Sequence, residues 1–259
     1  MTPPPRTTPG TPHAASGPGR VLPAERADVF PGRWVGGAAM VLGPLLMLAG
    51  ALLRVRFDFF FPGQLAAYER HPGLMTTAYA LFAVGNLLLW PAVAVLAARV
   101  GARGPGWGLW GGLLAMSGLF ARTFHAGADH MAFRLVGAEG AATATRIVSD
   151  TYGAFQALSV LNLAVLSGWV VLALGAWRTR VLGPVRAFAL ALTAALPLGV
   201  LKGTTPWSLV ALAGLAVALL PLGLALLREG PRPRRSAVAL WVLVTLGALG
   251  LMFAFGQAG

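Results

Sequence analysis

The sequence predicts an all-α polytopic membrane protein, a bundle of about seven transmembrane helices, on three observations. The composition is 57% hydrophobic and only 11% charged, with a mean hydropathy of +0.72; soluble domains carry about 25% charged residues. Apolar runs close to the ~20 residues that cross a bilayer recur along the chain. The turns between them are short and rich in arginine, proline and glycine. The core of such a chain forms between helices.

Composition also excludes several classes. There is no cysteine, so no disulfide frame, haem thiolate or Cys-type zinc site. No Walker motif or glycine-rich phosphate cradle is present, which excludes ATP-driven action by this chain alone, and no cofactor is expected. The net charge of +12 is assigned to orientation in the membrane and not to nucleic acid, because the arginines gather at helix ends. Only Lys202 among the twenty basic residues is a lysine. With abundant Ala, Gly and Pro, that bias points to a GC-rich bacterial coding sequence.

Residues 1–32 are rich in Pro, Thr, Gly and Ser and cannot bury enough apolar surface to order themselves. They lack the apolar stretch of a cleavable signal peptide and are expected to be a disordered tail ahead of a seven-helix domain over 33–256. Span one is expected at Trp34–Leu53. The connection from Arg54 to Gly73 mixes Phe57, Phe59, Phe60 and Phe61 with charges, which suits a segment lying along the interface. Span two, Leu74–Ala98, should kink at Pro91. Span three starts at Trp107 and leads to a polar link, Val136–Ser149. Span four is Asp150–Trp177. Span five, Val185–Leu201, is short and contains Pro197. Spans six and seven are Trp207–Leu227 and Ser236–Phe255. The tryptophans fall mostly near span ends, as aromatic belts do.

An odd count places the termini on opposite sides. Thirteen basic residues lie in the tail and the even loops, against seven on the other side. The richer side should be cytoplasmic, which puts the N-terminus inside and the C-terminus outside. Three of the four histidines then fall at the outer side, as do five of the eight acids.

The stretch WGLWGGLLAMSGLFARTFHAGADHMAFR, from Trp107 to Arg134, places Arg122, His125, Asp129, His130 and Arg134 where a helix should leave the bilayer. Ionisable groups at membrane depth cost roughly 2.5–3.5 kcal/mol each on insertion scales. Arg122, His125 and Asp129 fall within about 60° of one another on a helix, and His125 and Asp129 form an i,i+4 pair. Span four supplies Tyr152, Gln156 and Ser159 at the same level, and span two supplies Thr76, Thr77 and Tyr79. Were the three helices to pack together, these groups would line one half-buried pocket floored by Asn86 and Asn162.

Three readings of this cluster are open. Arg and His near a helix end can simply reach for headgroups, and Asn or Ser within a span can be interhelical glue. His125, Asp129 and His130 could ligate a metal only with help from Glu69, His71 or Asp150, and the spacing matches no strong zinc signature; no metal is expected. In the acid–base reading, Asp129 is the general acid and His125 its partner. Arg122 is a charge or headgroup clamp, His130 a further binding residue, and Tyr79, Tyr152 and Phe155 supply ring faces for a cation. In architecture alone the chain resembles membrane terpene cyclases, and that likeness implies acid-initiated cyclisation of an isoprenoid. The leading expectation is a membrane enzyme acting on a lipophilic small molecule in the bilayer. The competing one is a non-catalytic multi-pass protein, such as a permease subunit, a resistance or immunity factor, or an accessory protein.

Overall fold

The computed structural model describes residues 31–152, 161–229 and 235–258. Residues 1–30, nearly all of the tail expected to be disordered, lie outside them. Every regular element among the described residues is a helix, and none is a strand. The helices are α1 (Arg33–Arg54), α2 (Phe61–Arg70), α3 (Pro72–Gly101), α4 (Pro105–Tyr152), α5 (Asn162–Arg178), α6 (Pro184–Ala191), α7 (Pro206–Arg228) and α8 (Arg235–Ala258). A 3-10 turn, Leu192–Ala195, continues α6.

Proline opens several of these elements: it occupies the first or second position of α2, α3, α6 and α7. There its missing N–H costs nothing and its fixed φ suits a helix. Thr205 adds a capping box to α7. Its hydroxyl accepts from the Ser208 N–H at 3.2 Å, and the Thr205 N–H donates to the Ser208 hydroxyl at 3.1 Å. Thr205→Ala is expected to lower stability by about 1 kcal/mol, read as an earlier unfolding midpoint in detergent.

Among the described residues, four helices are long and apolar enough to cross a membrane: α1, α3, α7 and the Val238–Gly256 stretch of α8. The stretches expected as spans three and five are built differently, and residues 153–160 of the expected span four lie outside the described residues. Helix α4 runs on through the stretch expected to be a polar link and breaks only at Gly140, at φ 79° and ψ 161°. At 1.5 Å per residue its first part is about 50 Å long, well beyond a ~30 Å hydrocarbon layer. Helix α5 has 17 residues. Helix α6 and its 3-10 turn end at Ala195, and residues 196–205 are irregular where span five was expected to continue.

Contacts run α1–α3–α4–α5–α6–α7 and back to α1, so six helices form a closed ring. Helix α8 packs against no other described element, and none of its apolar stretch is buried. The ring is drawn tight by glycine. Gly43 and Gly85 face each other across α1–α3, Gly111 meets Leu172 and Gly168 meets Ala115 across α4–α5, and Gly37 meets Gly223 across α1–α7. Where lipid is as apolar as the core, such close approach supplies the packing energy. Between the seams lie Met40, Met47, Leu89, Leu96, Trp169, Leu172 and Leu215. Trp169 is fully buried there, a core residue and not part of an aromatic belt.

Proline also shapes the ring. Pro221 inside α7 withholds an N–H from the turn before it. Arg186 on α6 reaches that turn and donates to the Ala218 carbonyl, Nη2 at 2.6 Å and Nε at 3.2 Å.

A second core caps one end of the ring. Leu65 and Ala67 of α2 pack with Met75 of α3, Ala132, Phe133 and Val136 of α4, and Leu201. Tyr68 stacks on Phe133 at 4.4 Å, and Tyr79 meets the same ring edge-on at 4.9 Å. Glu69 accepts from the Ala141 N–H at 3.1 Å, just past the Gly140 break. The segment expected to lie along the interface is therefore a helix docked on the extension of α4.

Candidate functional site

Beside the cap lies a pocket built from α1, α3, α4, the start of α7 and the irregular segment that precedes it. Helix α1 ends there with Arg54, α4 contributes Arg122, His125 and Asp129, and α3 brings Tyr79 and Phe82. The irregular residues 196–205 close it. Their backbone has lost its helical partners, and its buried polar groups need partners elsewhere in the protein. Two side chains of α4 supply them. Arg122 donates from its terminal nitrogens to the carbonyls of Leu196 and Pro197 at 3.1 and 3.0 Å. Asp129 accepts from the Leu201 N–H. Leu201 is fully buried with φ 53°, a conformation that costs a branched residue free energy and that its surroundings must hold in place. Gly199 at φ 110° makes the turn before it.

Arg54 is 6% exposed. Its guanidinium lies 4.3 Å from the Tyr79 ring and 4.8 Å from Phe82, and its Nε donates to the Thr204 hydroxyl at 3.2 Å. The Tyr79 hydroxyl donates to Gln64 Oε1 at 2.9 Å, and Gln64 donates in turn to the Asp58 carbonyl. Gly203 N–H donates to the Phe59 carbonyl at 2.7 Å. The α1–α2 connection, α2 and the irregular segment are thus tied into one assembly around the pocket.

The space in the pocket is about 50 Å³, room for roughly three or four waters. On the other side of Tyr79, Ala126 and Asp129 lies a groove of about 280 Å³ between α3 and α4, lined also by Tyr68, Thr76, Ala80, Ala83, His130, Phe133 and Arg134. Ligand pockets usually span ~300–1,000 Å³, so the groove, and not the inner cavity, has the size for an apolar body. Tyr79, Ala126 and Asp129 border both spaces.

The structure brings together Arg122, His125, Asp129 and Tyr79 from the expected set. Arg122 and Asp129 are each only 9% exposed, His125 is half-buried on the cavity wall, and His130 is exposed in the groove. Among the described residues His125 and Asp129 make no hydrogen bond or ion pair with each other; the carboxylate is engaged by Leu201 instead. Asn86 does not line the cavity. Its amide donates to the Leu119 carbonyl and the Thr123 hydroxyl, both at 3.1 Å, and joins α3 to α4. Asn162, half-buried at the start of α5, is likewise not a wall of either space. Phe155, Gln156 and Ser159 lie outside the described residues, as does the side chain of Tyr152.

Arg54, Gln64 and residues 196–205 were not anticipated as parts of the site. The signal available for the last was a span of marginal length interrupted by Pro197 and Gly199. No group of three or more His, Asp or Glu side chains converges among the described residues, and Glu69 is occupied with a helix end. Compared with protein families, curated proteins and solved structures, the chain matches none.

Proposed function

We propose that this chain is an integral membrane enzyme that carries out acid–base chemistry on a lipophilic substrate held in the groove between α3 and α4. The observation that carries the reading is the position of Asp129, a buried carboxyl bordering both the small polar cavity and the larger apolar groove. On this reading there are seven crossings, with α4 and α5 as the third and fourth and α6 with its irregular continuation as a broken fifth. The capped end faces outward, because the opposite end is richer in arginine. Broken spans are where membrane proteins commonly build their binding sites.

Asp129 exchanges the proton, and His125, half-buried beside the same cavity, passes it to or from water. Arg54 and Arg122 surround the reacting region with positive charge. That favours a transition state in which negative charge develops on the substrate. It weighs against a carbocation there, since Arg54 already occupies the face of Tyr79. An isoprenoid remains a suitable apolar body for the groove.

A second reading has its own support. Arg122 and Asp129 both spend hydrogen bonds on the backbone of residues 196–201, as purely structural residues of a non-catalytic membrane protein would. Asp129→Asn separates the two, because the amide oxygen still accepts from Leu201 while the proton is no longer exchangeable. Turnover on a panel of prenyl substrates, followed by product analysis, is expected to fall at least a hundredfold with the melting temperature nearly unchanged. Product formation equal to wild type would retire the catalytic reading.

A further inference from the structure

Charge in the pocket is out of balance. Arg54 and Arg122 are both more than nine-tenths buried, and among the described residues Asp129 is the one carboxylate on the cavity wall. Arg54 is matched by ring faces and a hydroxyl. Arg122 is matched by two neutral carbonyls, and its buried Nε has no partner among the described residues. A desolvated surplus of positive charge is costly unless an anion or water meets it. Guanidinium forks are shaped to hold the oxygens of a phosphate or carboxylate.

We infer that the cavity is an anion site for the phosphate or carboxylate head of a lipophilic molecule whose tail lies in the groove between α3 and α4. The inference rests on the reading of this pocket as a binding site, though not on Asp129 doing chemistry. Size and polarity divide the two spaces accordingly. The cavity of about 50 Å³, with Arg54 and Arg122 on its wall, has the size of a head, whereas the groove is several times larger and offers Ala80, Ala83 and Phe133 to a tail, with Thr76, His130 and Arg134 at its polar edge. Tyr79, Ala126 and Asp129 stand at the junction, where a head would join its tail.

The test uses the full chain in a neutral, phosphate-free detergent, with farnesyl monophosphate, farnesol and inorganic phosphate as probes. Titration calorimetry and melting are the readouts. Farnesyl monophosphate is expected to bind saturably and raise the melting temperature, with farnesol at least tenfold weaker. Arg54→Gln should weaken the phosphate at least tenfold and leave farnesol unchanged, while Arg54→Lys should stay within about threefold of wild type. Inorganic phosphate binding as tightly as the farnesyl ester would support the anion site and assign it to a free ion. Failure of both phosphates to bind, or equal binding of farnesol and its phosphate, would overturn the inference. The wild-type comparison decides this even if Arg54→Gln does not fold. Asp129→Asn removes the only opposing charge and should tighten phosphate binding. Tighter binding with undiminished turnover would therefore end the catalytic reading and leave the anion site standing.

Discussion

Arg122→Met is expected to destabilise the folded chain by about 3 kcal/mol, read by reversible unfolding in mixed detergent micelles. The substitution keeps an unbranched stem of similar reach but removes both donors to the carbonyls of Leu196 and Pro197. Each buried acceptor left without a partner costs roughly 1–3 kcal/mol. Losing a desolvated cation offsets part of that, so the net falls below the sum. Arg122→Lys should lie between the two, because an ammonium cannot span both carbonyls in one plane. A loss under about 0.5 kcal/mol for Arg122→Met would mean that residues 196–201 are held by something other than α4.

Gly85→Val should cost a similar amount, about 3 kcal/mol, for a different reason. A Cβ at Gly85 would lie 2.7 Å from the Gly43 carbonyl oxygen and 2.8 Å from the Met47 nitrogen, both backbone atoms of α1. A rotamer change cannot relieve such a clash; the two helices must separate along the ring's tightest seam. Gly127→Ala provides the contrast. Nothing lies within 4 Å of its added carbon, so the better helix former should stabilise α4 by about 0.5–1 kcal/mol. Equal effects at Gly85 and Gly127 would show that helix propensity, and not close packing, governs these positions.

Local signals located the helices well. Apolar runs placed α1, α3, α7 and α8 within a few residues of their ends, because hydropathy and proline act on the residue that carries them. That Arg122 and Asp129 would be sheltered by facing helices was legible from their place beside an apolar run, and both are buried. Their partners were not. Leu196, Pro197 and Leu201 offer backbone atoms, which have no identity in a sequence, and they lie more than seventy residues away. Asn86 and Asn162 sit at suitable depths on their helices, but rotation about a helix axis is set by neighbours. Glycine was the neglected signal. Gly36, Gly43 and Gly50 recur every seven residues in α1, as do Gly111 and Gly118 in α4 and Gly168 and Gly175 in α5. Such spacing returns a small residue to nearly the same helix face, and it marks seams that later appear in the structure.

The clasp between α4 and the irregular segment has a consequence for biosynthesis. Arg122 and Asp129 leave the ribosome 72 to 75 residues before the backbone groups they hold. At ordinary translation speeds of about 5–20 residues per second, that interval is roughly 4 to 15 seconds. During it α4 lacks the backbone partners of Arg122 and Asp129. On the proposed reading of α4 as a crossing, it waits in a hydrated insertion channel, or with those groups drawn up to the headgroups, until α6 and its continuation arrive. Completion of the ring and release into lipid are thereby coupled to the same late event.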